Sequence, residues 1–145
     1  MSTIIPEPIP VSPFVLKDVD LVIEADNFAA HCSEVSWRPT ASAQTWKGLT
    51  PSSVFSDVST ATWAATVTFA QDYDDPASLS SYLLDNEGAK VPATFVPRSG
   101  SGKGFAAELT LTPGQIGGAV DAFGTATVTL GSTKPQRVTT TPAGA

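Results

Sequence analysis

The stretch TWAATVTFAQDYDDPASLSSYLLDNEG, residues Thr62–Gly88, changes its hydrophobic period halfway along its length. One face of the first half carries Trp63, Ala65, Val67 and Phe69, and the other carries Thr62, Ala64, Thr66 and Thr68. Strict alternation of this kind predicts a β-strand with one buried face, here over residues 60–70.

The second half of the stretch has helical spacing and predicts one short helix over about 76–87. Asp75 and Pro76 form a suitable start, since a carboxylate can cap free amides and proline fits the first helical position. Gly88 is a natural left-handed stop. The predicted buried stripe is Leu79, Tyr82 and Leu83, and the predicted solvent face is Ser80, Ser81, Asp85 and Glu87.

Shorter alternating segments predict the rest of a β-rich fold. They cover residues 15–25, 33–37, 91–95, 105–111 and 122–131, with SGSGKG as the turn of a hairpin. The predicted fold class is mainly β, an antiparallel β-sandwich or barrel with one short flanking α-helix.

Three segments organise the chain around this domain. Residues 1–14 hold four prolines and predict an extended arm, residues 15–131 form the β-domain, and the polar residues 132–145 predict a flexible tail. Residues 39–58 predict a long loop that folds over its own domain or reaches a partner. The arm carries Ile4, Ile5, Ile9 and Val11, and the loop carries Trp46, Leu49 and Phe55. A terminus without fixed structure is one interpretation of the arm, but its apolar side chains favour docking, for example onto a neighbouring subunit. For the loop, the sequence does not choose between its own domain and a partner.

The composition argues against several classes of protein. The 145 residues carry a net charge of −6, and the eight Lys and Arg are scattered, so no basic stripe is present to grip nucleic acid or an anionic membrane. Cys32 is the only cysteine, which rules out an internal disulfide. The start MSTIIPEPIPV lacks a basic region and an apolar helix, so we expect no signal peptide and a cytoplasm-like setting. No apolar run approaches the length of a membrane span.

Candidate chemical groups are few. His31 and Cys32 are adjacent and cannot point at one centre along a strand, so we interpret them as a turn or strand-edge pair. Asp72, Asp74 and Asp75 could bind calcium, but they lack the EF-hand glycine and bidentate glutamate, and an acidic turn explains them more simply.

Glycine-rich segments and serines also fall short of known catalytic patterns. SGSGKG has Pro97 and Gly104 where a phosphate-binding loop needs glycine and a hydroxyl residue, and GQIGGAVDAFG has the wrong spacing for a dinucleotide site. No Gly-x-Ser-x-Gly motif occurs. We therefore expect no enzyme, with no catalytic, cofactor-binding or metal-binding residues and no cofactor.

Three quoted segments carry a resemblance to a known family. WKGLTPSSVF, TWAATVTFAQDYDDPASLSSYLLDNEGAKVPATFVP and PGQIGGAVDAFGTATVTLG resemble the major tail tube protein of long non-contractile-tailed bacteriophages, particularly those of actinobacterial hosts. The similarity covers most of residues 15–131. It implies a structural virion protein of the phage tail whose β-sandwich assembles, in the host cytoplasm, into stacked hexameric rings. The resulting tube carries the genome into the host.

The resemblance also implies partners and a use for the acidic charge. The partners are other copies of the chain and the tail tape measure, tail terminator and distal tail proteins. DNA passes through the lumen without specific binding, and a lumen of like charge avoids adhesion. We expect some of the carboxylates on the predicted strands to face the lumen, from the set Asp18, Asp20, Glu24 and Glu108.

Two other interpretations remain open from the sequence. A capsid decoration protein or another small phage structural protein would also be β-rich and lack a site. A carbohydrate-binding or adhesin module would use exposed aromatic side chains, for which Trp37, Trp46 and Tyr73 are the candidates.

Overall fold

The computed structural model describes residues 2–141 of the chain. These residues form a predominantly antiparallel β protein with one α-helix, which confirms the predicted fold class. The strands are β1 (Asp20–Ile23), β2 (Asp26–Asn27), β3 (Cys32–Thr40), β4 (Ala43–Lys47), β5 (Val54–Val58), β6 (Thr62–Ala70), β7 (Lys90–Val96), β8 (Lys103–Thr110), β9 (Thr125–Ser132) and β10 (Gln136–Thr139). The helix α1 spans Leu79–Asp85, and a short 3-10 helix spans Ala29–His31.

Eight strands form one bent sheet in the order β2-β1-β7-β8-β9-β6-β3, with β10 also paired to β8. Only two residue pairs, Leu109–Ser132 and Thr110–Gly131, join β8 to β9. Beyond them the chain continues through β10 along the first half of β8. The β9–β10 segment therefore acts as a corner that passes from one layer of a sandwich to the other.

Both layers contribute to one hydrophobic core. The layer of β1, β7 and β8 supplies Leu21, Ile23, Val91, Ala93 and Leu109, and the layer of β6 and β9 supplies Ala65, Val67, Phe69, Ala126, Val128 and Leu130. Phe28, Leu111 and the helix residues Leu79 and Leu83 complete the cluster. Each large side chain buried in this way stabilises the fold by about 1.5–3 kcal/mol. The residues of β6 that alternation assigns to the buried face, Ala65, Val67 and Phe69, are therefore the ones that enter the core.

The helix begins later than the sequence predicts, and its buried face is wider than the predicted stripe of Leu79, Tyr82 and Leu83. Ser78, not Asp75, is the N-cap, and its Oγ accepts a hydrogen bond from Ser81 N. Asp75 instead closes a turn, because its Oδ1 accepts from Ala77 N at 2.9 Å. The prediction of a solvent-facing Ser80 and Ser81 was wrong, since both are buried. Their hydroxyls donate to the backbone carbonyls of Ala70 and Asp75, which attaches the start of the helix to the end of β6.

Replacing the N-cap, Ser78→Ala, is expected to lower the free energy of unfolding by about 1–3 kcal/mol. The change removes the cap of Ser81 N and the hydroxyl that donates to the carbonyl of Asp72. Urea unfolding followed by circular dichroism measures the effect. Ser12→Ala, in the exposed arm, is the control and is expected to leave the midpoint unchanged. Equal midpoints for the two variants would contradict the role of the cap.

Three further boundaries differ from the predictions. The first strand is confined to Asp20–Ile23 within the predicted 15–25. The predicted loop 39–58 contains the hairpin β4–β5, because its two arms pair with each other over five residue pairs. β3 also continues through Pro39 to Thr40, which a strand with one unpaired edge tolerates.

The predicted tail and the predicted arm are compared with the structure at the two ends of the chain. Within the predicted flexible tail 132–145, Gln136–Thr139 is a strand, because its backbone satisfies the edge of β8. Residues 142–145 and Met1 lie outside the described part of the chain. Residues 2–17 have neither helix nor strand, and the apolar side chains of the predicted arm 1–14 that the structure describes are exposed.

Candidate assembly surfaces

The hairpin β4–β5 is a two-stranded sheet separate from the sandwich. Trp46 and Phe55 lie opposite each other on its strands, with ring centroids 5.8 Å apart. They are 64% and 63% exposed. Leu49, Val54 and Val58 are exposed as well. An isolated hairpin is marginally stable in water at best, and every residue of these two strands is exposed.

A second exposed apolar surface lies on the loop between β8 and β9. Ile116, Val120 and Phe123 are exposed, the last at 96%. The loop backbone is nevertheless held in shape by Gln71, whose Nε2 donates to the carbonyls of Gly117 and Thr125 at 2.9 Å. Gln71 Oε1 accepts from Gly117 N at 2.8 Å. These hydrogen bonds fix the loop backbone at Gly117, next to the exposed Ile116, and at Thr125.

The N-terminal arm is the third such surface. Ile4, Ile5, Ile9 and Val11 are 83–91% exposed. Closer to the sandwich, Phe14 lies under the guanidinium of Arg98, with 5.7 Å between the guanidinium carbon and the ring centroid. The arm is thus attached near its base and free along its apolar part.

The sandwich presents two contrasting outer faces. On β6 and β9 the face is small and polar, and Thr68 Oγ1 lies 2.9 Å from Thr127 Oγ1. Cross-strand pairing places Thr66 beside Thr129 and Ala64 beside Gly131 on the same face. Threonine is well suited to a half-exposed pleated surface. The result is a face with little relief and little charge.

The carboxylates expected at a lumen are distributed over β1, β8 and the turns beside them. Register places Asp20 and Glu108 on the outer face of the β1–β7–β8 layer, because Leu21 and Leu109 point to the core. Asp20 accepts hydrogen bonds from Asn27 and Ser99.

The remaining two carboxylates are held differently. Glu24 follows β1 with φ 60° and accepts from Tyr82 OH at 2.6 Å. Asp18 precedes β1, and its carbonyl accepts from Ser99 N at 2.7 Å. Asp20 and Glu108 therefore share one face of the sheet, and a hydrogen bond from Tyr82 of the helix fixes the direction of Glu24.

His31 and Cys32 lie at the junction of the 3-10 helix and β3. His31 Nδ1 accepts from Leu79 N at 3.3 Å, and its ring packs edge-on against Phe28. Burial raises the pKa of the Cys32 thiol to about 11, so the thiolate is disfavoured at neutral pH. The pair thus helps to position α1 against β3.

The chain is expected to lose stability as the pH rises from about 9 to 12. Burial foremost, then the hydrogen bond to Glu24 and the charges of Glu24 and Asp26, raise the pKa of Tyr82 to about 12 from 10.0. The pKa of Cys32 is likewise raised from 9.0. Both groups ionise at lower pH in the unfolded chain than in the folded chain. The contribution of each neutral group to the free energy of unfolding is therefore complete below its unfolded pKa and is lost as the pH rises to its folded pKa.

Urea midpoints measured across this pH range test the expectation. The variant Tyr82→Phe removes one of the two ionisations and is expected to show a shallower decline. Parallel declines for the native chain and the variant would contradict the role of Tyr82.

The acidic residues before the helix organise a turn. Asp72 Oδ1 accepts from Asp74 N at 3.1 Å and Asp75 N at 3.4 Å. Within residues 2–141, no group of three or more His, Cys, Asp or Glu side chains is placed to hold a metal ion. The carboxylates of Asp72 and Asp75 act as acceptors for the backbone, which is the simpler of the two interpretations of this segment.

The three aromatic residues suggested for sugar binding have different environments. Trp37 is half-buried, lies 5.4 Å from Phe95 between ring centroids, and donates from Nε1 to Ser132 Oγ. Trp46 is paired with Phe55 on the hairpin, and Tyr73 lies in the turn after β6. Trp37 therefore serves the packing between the two layers.

No helix among the described residues is long and apolar enough to cross a lipid bilayer. A scan of the chain against protein-family models gives no match, and a search of curated proteins gives none either. The hairpin was missed from the sequence because both of its faces are exposed, which removes the hydrophobic alternation that marks a half-buried strand. The signal that could have found it is AQTWK and VFSDV on either side of a turn.

Proposed function

We propose that the chain is a structural virion protein whose copies join into stacked hexameric rings and form the tail tube of a bacteriophage. The observation that carries the proposal is the hairpin β4–β5, which projects as a separate sheet and exposes Trp46 and Phe55. Aromatic side chains in such positions are typical anchors of protein interfaces. A projecting, apolar ribbon fits an element that is inserted into the next copy.

Three surfaces, rather than one, support assembly into an extended structure. The hairpin, the loop around Ile116 and Phe123, and the arm all expose apolar side chains. Monomeric proteins rarely expose several large apolar patches. Different surfaces on one chain suit head-to-tail contacts, which close into rings or continue along an axis. One set of contacts would close the ring and another would stack the rings.

The net charge of −6 suits a conduit for DNA. We assign the outer face of the β1–β7–β8 layer, with Asp20 and Glu108, to the lumen. Carboxylates there repel phosphates and prevent the counterion release that drives non-specific DNA binding. A structure of the assembled tube tests this assignment. Asp18, Asp20, Glu24 and Glu108 all on the outside of the tube would contradict it.

The family resemblance supplies the remaining parts of the proposal. Assembly takes place in the host cytoplasm, and the finished protein belongs to the virion tail. The tape measure, tail terminator and distal tail proteins are the proposed partners at the interior and the ends of the tube. DNA passes through without a specific contact.

Sedimentation velocity over a wide concentration range, with native mass spectrometry of the products, tests the proposal. We expect species larger than a dimer that grow with concentration, with a discrete six-copy form. A stable trimer that binds a preformed shell would favour a capsid decoration protein. A chain that stays monomeric and binds glycans through the exposed Trp46 would favour the carbohydrate-binding alternative.

A further inference from the structure

The strand β3 ends the large sheet and has one edge without a partner in the described chain. Successive residues of a strand direct their N–H and C=O groups to opposite edges. Gln71 N, just after β6, donates to Gly124 O on the side of β9, so the odd residues of β6 point to β9. The even residues of β6 and their even partners on β3 therefore bond to each other.

It follows that the odd residues of β3 face the free edge. They offer the N–H and C=O groups of Val35 and Trp37 and the carbonyl of Pro39. The place of the proline agrees with this assignment, since its missing N–H costs nothing at an unpaired edge. The free edge therefore has two donors and three acceptors at a regular spacing.

The arm has a matching pattern in its sequence. In IPEPIPV, residues 5–11, the even positions are Pro6, Pro8 and Pro10. In a strand formed by this segment, the prolines leave one edge without N–H donors. The odd residues direct their N–H groups to the other edge. Each residue before a proline is also biased to extended backbone. The segment is thus biased to extended backbone, and only one of its edges would carry N–H donors.

We propose that residues 5–11 of one copy add as a strand to the free edge of β3 in a second copy. The inference rests on the proposed self-assembly and names one of its contacts. Paired odd residues of two strands share a face, so Ile5, Ile9 and Val11 would lie beside Val35 and Trp37. Both of those side chains pack against the core. The added strand would extend the apolar face of the sandwich.

The space beside β3 can receive these side chains. A groove of about 740 Å³ lies between the segment preceding β1 and the start of β3. Its lining combines the apolar Leu16, Val19, Cys32 and Val35 with polar and charged side chains, among them Asp18 and Glu34. The proline side chains would lie on the outer face of the sheet. The outer edge of the added strand would have no N–H donors for another strand. The addition therefore ends the sheet and does not propagate it, which protects the edge from uncontrolled aggregation.

The strand comes from a second copy and not from the same chain. The chain's own segment at Leu16–Val19 already lines the groove, and no residue of segment 5–11 is among its lining. Ile4 and Ile9 are both 91% exposed, so the arm of the same chain leaves the edge of β3 unoccupied.

The test is amide hydrogen exchange at β3, measured with the full chain below and above the concentration at which it assembles. We expect the amides of Val35 and Trp37 to become protected only on assembly. The double variant Glu7→Pro/Ile9→Pro removes two donors from the pairing edge and keeps the arm extended. It is expected to lose this protection and to associate at least about tenfold more weakly. The control Glu7→Thr/Ile9→Val keeps both donors and is expected to behave as the native chain.

The other outcomes separate this inference from the proposed function. Protection at every concentration would mean that the arm binds its own chain and would overturn the inference. Assembly without protection of β3, or native association of the proline variant, would overturn the inference and leave the proposed function standing. A chain that never assembles would overturn both.

Discussion

The variant Leu83→Asp is expected to be unfolded at neutral pH. Leu83 is 1% exposed and lies in α1 against the core of the sandwich. The substitution removes a buried leucine and places a carboxylate where no water can solvate it. Loss of the buried leucine costs about 2–5 kcal/mol and the uncompensated buried charge about 3–5 kcal/mol, which together amount to about 5–10 kcal/mol. Domains are stable by only about 5–15 kcal/mol, so most of the margin disappears.

The next residue of the helix provides a matched control. Leu84 is 43% exposed, so Leu84→Asp changes the same residue type on the same helix without burying a charge. Circular dichroism and urea unfolding compare the two variants. We expect a cooperative transition for Leu84→Asp and none, or one at a far lower midpoint, for Leu83→Asp. Similar midpoints would show that α1 does not close the core.

The variant Trp46→Ser/Phe55→Ser is expected to fold normally and to fail to assemble. Both side chains are largely exposed and pair with each other on the hairpin. The core of the sandwich therefore loses nothing. If the pair anchors the hairpin in a neighbouring copy, each aromatic contributes about 2 kcal/mol or more to the interface. Because this contact would be repeated in every copy, its loss is expected to prevent the rings from stacking.

The adjacent cross-strand pair on the hairpin is the control for this variant. Thr45→Ala/Ser56→Ala changes two residues that are also opposite each other on the strands but are small and polar. Sedimentation velocity measures association, and circular dichroism checks the fold. We expect the alanine variant to assemble at the native concentration. Native assembly of the serine variant would remove the hairpin from the interface.

The central strand and the fold class could be predicted because local pattern and tertiary packing agree there. In β6 the alternate residues Ala65, Val67 and Phe69 are the ones that enter the core. The presence of one short α-helix and its apolar stripe could be predicted for the same reason. Its start could not, because Asp75 and Ser78 are both good caps. The hydrogen bonds of Ser80 to the end of β6 and of Ser81 to the turn before the helix favour the later one.

The surfaces proposed for assembly could be predicted only in part. The apolar residues of the arm and of segment 39–58 stood out from the sequence as docking candidates. The hairpin and β10 did not stand out, because their pairing depends on neighbours that alternation does not encode. The unpaired edge of β3 follows from the sheet order, and no local pattern reveals that order.

Negative-stain electron microscopy of the purified chain, over a range of concentrations, tests the central claim most directly. The account predicts hollow rings or tubes of uniform width that become more numerous with concentration. The variant Trp46→Ser/Phe55→Ser, imaged under the same conditions, should show only small particles. Small compact particles from the native chain at every concentration, or solid aggregates without a bore, would contradict the proposal that the chain builds a tube.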